Sequence, residues 1–417
     1  MKVLWFEISQ PKRYNNKRNV LASWQDSLES IVTQIDDIQL IVAFESDSDS
    51  EVKIIDGVTY VPINLKYSIY DRILSKMTWR INQEKIIEKA QAIINYYKPD
   101  LIHVFGCEWS FGLVATKTNI PVVVHIQGST ISYDNSLYPP KYNVWNYIRT
   151  FKWNIFRILS CLIVETNNRS RYLMEKNVWC VVPNYMGRTH WDYALSHIFH
   201  PDCRYYHVEE SLRPEFLSSN LLWKYNVKSK IRLFTIGCTT FWKGPEMLLK
   251  TARILKEYGF DFEWFVSGHF PETLKKVIEN TEHTTFSQNN VSFLGVLQVE
   301  KLIEELSNST IYVHTAYIDN SPNSICEAQC LGVPVISTNV GGISSLLQNG
   351  KYGMLVPAND PWQMAFSIIK LSSDKKAMSE LSTQARLFAL KRHDSQNIRN
   401  QLSSCYRDII DNNSIPD

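Results

Sequence analysis

Short apolar runs alternate with longer stretches of helical period along the whole chain. In the first half, Val3–Phe6, Leu40–Phe44, Leu101–Phe105, Val122–Ile126 and Leu162–Val164 read as buried parallel strands. Between them, Arg80–Tyr97 carries apolar residues at helical spacing: Ile81, Ile86, Ile87, Ala90, Ile93, Ile94 and Tyr97. A second series begins at Ile231. Its strands are Ile231–Ile236, Phe262–Val266, Val291–Leu294, Ile311–His314, Pro334–Ser337 and Met354–Val356. Pro245–Tyr258, Pro271–Glu279 and Leu302–Leu306 read as intervening helices, with Pro245 and Pro271 at first-turn positions. The segment Gly187–Lys230 is polar, aromatic and weakly periodic, and Lys224–Arg232 is charged. The pattern predicts an α/β protein of two β/α domains. The first covers 1–220, with an interdomain segment at 187–220; the second covers 221–394; a helical tail follows from 395 to 417. Such a pair implies a cleft, with ligands outside the carboxyl ends of the strands.

Composition narrows the function classes. The chain has 417 residues, 44% of them apolar, enough for large cores. A formal net charge of +2 and a pI near 8.0 supply no global basic field for nucleic acid. The eight cysteines are scattered without a C-x-x-C pair or zinc spacing, which fits free thiols in a reducing cytosol. No signal peptide is expected, because Glu7 directly follows the strand-like Met1–Phe6. The apolar-rich Trp153–Val164 is too short to span a bilayer and contains Asn154 and Arg157. A soluble protein, or one resting on a membrane surface, is expected. The 12 Trp and 21 Tyr suit sugar stacking, a membrane edge or plain core.

The densest chemistry lies in Asp319–Gly342, DNSPNSICEAQCLGVPVISTNVGG. Small polar residues open a helix carrying Glu327, and Gly332 marks the turn that closes it. A helix start offers backbone N–H groups and positive dipole to a phosphate. A carboxylate one turn inside can accept hydrogen bonds from sugar hydroxyls. Phosphate plus polyol is what a nucleotide sugar presents. Upstream, the strand Ile231–Ile236 leads to Gly237-Cys238-Thr239-Thr240-Phe241-Trp242-Lys243-Gly244 and then a helix, which places the Lys243 ammonium where a diphosphate could sit.

Ala328, Gly332, Pro334, Val335, Ile336, Ser337, Gly341 and Gly342 follow Glu327 in a run that resembles the donor-site signature of retaining GT-B glycosyltransferases of family 4, the glycosyl transferases group 1. The resemblance implies two Rossmann-like domains facing across a cleft, with the C-terminal helix crossing back onto the first. It implies that Glu327 holds the ribose hydroxyls and that the acid eight positions earlier lies near the transferred sugar. That acid is Asp319 here, one methylene shorter than the usual glutamate. Lys243 and Gly244 match a G-R-x4-K-G element, but Cys238 stands where the family has arginine. Arg188, in Met186-Gly187-Arg188-Thr189-His190-Trp191-Asp192, is the candidate replacement. That string resembles a segment of polysaccharide-building members. The backbone amides around Ser321, Asn323 and Ser324 would cradle the distal phosphate. By the same resemblance His125, at the end of Val122–Ile126, faces the donor sugar where acceptor and donor meet. The alternative is a structural histidine at a strand end.

The remaining features are departures. The loop after the first strand lacks the family's glycine pair and is basic at Lys12, Arg13, Lys17 and Arg18, suited to an acceptor pyrophosphate or an anionic membrane surface. Lys141–Leu159 is basic and aromatic and suits either an interfacial or a core helix. Asp47-Ser48-Asp49 has the D-x-D form but lies in a serine- and acid-rich loop, so no metal site is assigned. Together these features imply a metal-independent, retaining transfer of a sugar from a UDP- or GDP-linked donor. The acceptor is a glycan, lipid-linked at the cytoplasmic membrane face, in surface polysaccharide biosynthesis. No cofactor is expected beyond the nucleotide-sugar substrate. A sugar-nucleotide epimerase and a non-enzymatic assembly partner with a decayed donor site stand as alternatives.

Overall fold

The computed structural model describes residues 1–14, 24–46, 50–65, 68–69, 83–152, 154–225 and 230–413, with backbone alone at 155, 157, 158 and 160–167. Lys17, Arg18 and Asp47-Ser48-Asp49 lie outside the described residues. The chain divides into two compact units. One comprises Met1–Ile131, Ser160–Ser211 and His393–Asp417; the other comprises Ser132–Leu159 and Leu212–Arg392.

The first unit is built on eight strands: β1 (Lys2–Glu7), β2 (Gln39–Ser46), β3 (Lys53–Ile55), β4 (Val58–Asn64), β5 (Leu101–Phe105), β6 (Val122–His125), β7 (Asn184–Gly187) and β8 (Arg204–His207). Their order is β3-β4-β2-β1-β5-β6-β7-β8, parallel except for β3 against β4. Strand β1 shows why both faces are covered. Leu4 and Phe6 point into one core with Phe111, Val178 and Trp179. Val3 and Trp5 point into the other, with Ile398, Leu402 and Tyr406 of the helix Ser395–Asn413. That helix is anchored by a polar relay. The Trp5 indole N–H donates to Tyr406 Oη at 3.1 Å, and the Tyr406 hydroxyl lies 2.6 Å from His103 Nδ1. Burial lowers His103 to a pKa of about 3, so the ring that meets the hydroxyl is neutral.

The second unit carries β9 (Ile231–Ile236), β10 (Phe262–Ser267), β11 (Val291–Gly295), β12 (Ile311–His314), β13 (Val335–Thr338) and β14 (Met354–Val356). All six are parallel, in the order β11-β10-β9-β12-β13-β14. The order reverses between β9 and β12, where Ile311 pairs with Leu233. Ligands of such sheets bind outside the carboxyl ends at this switch point.

Three sequence expectations change. Leu162–Val164 is not a strand but part of the helix Ile155–Val181, because a short apolar run carries no period that tells the two apart. The segment assigned between domains, Gly187–Lys230, contains β8, the end of β7 and the helix His190–Phe199. The chain also does not divide by one cut near 220. Residues 132–159 join the second unit, where Tyr138, Tyr142 and Tyr147 surround the Phe241 ring and Tyr142 Oη donates to Glu282 at 2.7 Å. Val144–Thr150 is a helix of this unit with Ile148 buried and Trp145 51% exposed.

The relay supplies a stability test. Tyr406→Phe leaves the buried Trp5 N–H and His103 Nδ1 without their partner and should cost about 1–3 kcal/mol in urea denaturation. An unchanged midpoint would show that the hydroxyl contributes nothing.

Candidate functional site

Three backbone segments meet at the carboxyl ends of β9, β12 and β13. The loop after β9 ends at Gly244, whose φ of +68° suits glycine, and a Cβ there would lie 1.9 Å from the Thr315 carbonyl oxygen. Gly341, at φ +53°, approaches the Asp319 carbonyl equally closely, and the Gly342 N–H donates to that oxygen at 3.0 Å. The Tyr317 N–H donates to the Trp242 carbonyl at 2.7 Å, and the Thr315 hydroxyl to the Lys243 carbonyl at 3.1 Å.

This close approach assembles a charged group. Lys243 Nζ lies 2.6 Å from Asp319 Oδ2, and His314 Nε2 lies 3.1 Å from the same oxygen. Burial alone would raise the Asp319 pKa, but Lys243 and His314 outweigh it and hold the carboxyl well below its ordinary value. Burial lowers His314, so its ring is neutral and Nε2–H donates. Lys243 keeps about a quarter of its side chain exposed. Ser321 leads into the helix Asn323–Cys330, which carries Asn323, Ser324 and Glu327; its N-cap, Pro322, makes no side-chain capping bond. Gly244, Lys243, Asp319 and the Ser321–Glu327 segment are therefore brought together.

Glu327 has a partner that the sequence reading missed. Arg213 donates to its Oε1 from Nε at 2.9 Å and from Nη2 at 2.6 Å. The two residues are 114 positions apart, and Arg213 carries no motif. Cys238, at the position of the missing arginine, is buried in the core, and desolvation pushes its thiol up to about 12.

His125 and Arg188 belong to the first unit. His125 is fully buried, and among the described residues neither ring nitrogen has a hydrogen-bond partner. Burial, then His103 and Arg188, hold its pKa well below the ordinary value. Trp24 stands edge-on to its ring at 4.9 Å, and the Arg188 guanidinium lies 5.0 Å from the Trp24 ring. Arg188 Nε is 3.2 Å from Glu210 Oε2, both side chains buried, so this arginine is engaged within its own unit. Desolvation and then the charge of Glu175 push the nearby Glu108 carboxyl up to about 8. Glu108 was not singled out; its one signal is a position just past the end of β5. The basic loop after β1 also has local roles. The Lys12 N–H donates to Asp26 at 2.9 Å, and Arg13 lies 3.5 Å from buried Glu29. Arg13 is thus a tether more than a free cation. Among the described residues no group of three His, Cys, Asp or Glu could hold a metal, and no helix is long and apolar enough to cross a membrane.

Known proteins resemble this chain in sequence over part of its length and in fold over the whole. Residues 221–388 match the profile described as glycosyl transferases group 1. An uncharacterized glycosyltransferase of Methanocaldococcus jannaschii is 28% identical over 178 residues, 40% of this chain and 42% of that protein. The capsular polysaccharide biosynthesis glycosyltransferase CapM of Staphylococcus aureus is 28% identical over 168 residues, 40% of this chain and 43% of its own. The chain thus spans about two fifths of the length of these relatives. Over the whole chain the similarity is in fold. Sucrose-phosphate synthase from Thermosynechococcus elongatus superposes with a TM-score of 0.71 at 14% identity, covering 99% of both chains. Anabaena HepE, solved with UDP and glucose, gives 0.63 at 13% identity, covering 98% of this chain and all of that one. The fold is GT-B, with two Rossmann-like β/α units.

One buried acid in the group 1 domain makes a pH prediction. Glu246, in the first turn after Gly244, is fully buried and accepts a hydrogen bond from Tyr317 Oη. Desolvation raises it from 4.5 to about 7, with Tyr317 and Lys250 opposing and Glu282 adding to the rise. Between those values the folded chain holds a proton that the unfolded chain has lost, so stability falls as pH rises. Glu246→Gln cannot ionise and should gain up to about 3 kcal/mol relative to wild type between about pH 5 and 8. Urea midpoints that keep a constant difference would contradict this.

Proposed function

We propose that this chain is a retaining glycosyltransferase that moves a sugar from a nucleotide-sugar donor to a glycan acceptor. The observation that carries the reading is the Lys243–Asp319–His314 group at the switch point of the second sheet, beside the start of the helix Asn323–Cys330. A departing nucleoside diphosphate develops negative charge on its phosphate oxygens. Lys243 supplies a cation for it, and the backbone amides around Ser321, Asn323 and Ser324 supply aligned dipoles. Asp319 is held ionised and orients the ammonium, while Lys243 has further N–H groups to offer a phosphate. Glu327, held by Arg213, is the acid this reading assigns to the ribose hydroxyls. His125, neutral and without a hydrogen-bond partner among the described residues, is suited to accept or donate one bond to a sugar hydroxyl. In this reading Arg188 steadies Trp24 beside His125.

The names of relatives support a place in polysaccharide assembly. CapM is named for capsular polysaccharide biosynthesis, and a relative from Salmonella typhimurium for colanic acid biosynthesis. We infer an acceptor of that class, lipid-linked at the cytoplasmic membrane face. A UDP-linked donor is the first to try, since HepE was solved with UDP-glucose. Calorimetry with UDP, GDP and their sugars is the deciding experiment. Binding of none of them would leave a group 1 fold without a donor site.

Lys243→Ala should weaken nucleoside diphosphate binding by about 1.5–3 kcal/mol, the range for hydrogen bonds to charged groups. An unchanged dissociation constant would remove Lys243 from the site. Transfer should also survive excess EDTA, because Lys243 and the helix start take the part of a divalent cation. Loss of more than about nine-tenths of the rate, restored by Mn²⁺, would overturn this scheme.

A further inference from the structure

The helix Pro361–Ser373 is apolar on two faces. Met364, Ala365, Ile368 and Leu371 are buried beneath it. Trp362, Phe366 and Ile369, spaced i, i+4 and i+7, are 59, 57 and 37% exposed. Tyr258, directly after the helix Pro245–Glu257, is 70% exposed and lengthens the stripe; its ring lies 6.0 Å from that of Trp362. Spacing of this kind normally marks the face turned to the core. Here the core-facing set is already complete, so the outer stripe needs another explanation. With aromatic side chains covering about 150–250 Å² each, the stripe presents roughly 400–500 Å² of apolar surface. That is as large as the largest patch on a typical monomer, and such patches mark interaction sites.

We propose that this stripe is the seam of a two-fold dimer, covered by the same stripe of a second copy of this chain running antiparallel. Area is the first argument. Two such stripes face to face bury roughly 800–1,000 Å², reaching the threshold for a specific interface at the upper end. Charge is the second. Lys370 lies eight residues beyond Trp362, about 12 Å along the helix axis, and has no ion-pair partner among the described residues. Glu257, beside Tyr258, marks the other end; its side chain is 60% exposed, and its one ion-pair contact among the described residues is Arg253 at 3.9 Å. A two-fold axis brings each Lys370 end to the Glu257 end of the other copy, so the charges are self-complementary. A membrane or an unrelated partner would not need that pairing.

Sedimentation velocity of the full chain, from low to high micromolar concentration, tests the proposal. A concentration-dependent dimer is expected. Trp362→Glu and Phe366→Glu should each weaken self-association about tenfold or more. Lys370→Glu and Glu257→Lys should each weaken it a few-fold, and the double variant should restore it. All four sites are exposed, so circular dichroism should show unchanged folding. A monomer throughout the series, a dimer indifferent to Phe366→Glu, or a double charge swap that fails to restore association would each overturn the proposal. Donor binding plays no part in these outcomes.

Discussion

The ion pair between Lys243 and Asp319 depends on two backbone contacts that only glycine permits. At Gly244 and Gly341 a Cβ would stand 1.9 Å from the carbonyl oxygens of Thr315 and Asp319. These contacts let three strand-end loops close on one another. Lys243 and Asp319, 76 residues apart, then reach 2.6 Å without reaching out into solvent. Everything proposed for the donor end of the domain follows from this closure. It sets the protonation of Asp319 and His314, the direction of the ammonium, and the separation between the lysine and the start of the helix Asn323–Cys330.

Burial then sorts the ionisable groups. Asp319 is desolvated yet ionised, because a cation and a donor histidine more than offset the cost. Glu246, three positions from Lys243, is fully desolvated, and the hydrogen bond from Tyr317 and the charge of Lys250 only partly offset this, so its carboxyl is raised to about 7. Cys238 is buried, the charge of Lys243 only partly offsets its desolvation, and it remains a thiol. In the first unit His125 and His103 are kept neutral by desolvation. A histidine that is buried and neutral is suited to orienting a hydroxyl and unsuited to delivering a proton at neutral pH.

The N-terminal unit was harder to read than the C-terminal one, for a physical reason. In the second unit β12 and β13 are buried along their whole length, and the apolar runs are set off by turn residues, so their limits lie in local composition. Ile311–His314 and Met354–Val356 were placed to the residue. In the first unit β3, β7 and β8 are short, and β8 is only half-buried, with the pattern of an edge. Such strands owe their conformation to a neighbour's hydrogen bonds more than to their own residues. The apolar run Leu162–Val164 joined a long helix because the residues flanking it continue the helix on both sides.

Local chemistry by itself determined the alternation of strand and helix, the fold class, and the lysine–glycine and acid–glycine elements of the donor end. Each of these is written within a few residues of chain, as a period, a turn or a helix start. Tertiary packing alone decided which charges meet. Arg213 was anonymous until folding laid it on Glu327, Arg188 stood in a recognisable string but without a partner until folding set it against Glu210 and Trp24, and residues 132–159 had no assigned place until three tyrosines closed around Phe241. Ion pairs and aromatic contacts between distant residues leave no period in the chain. Their energy depends on distance and burial, and both exist only once the core has formed.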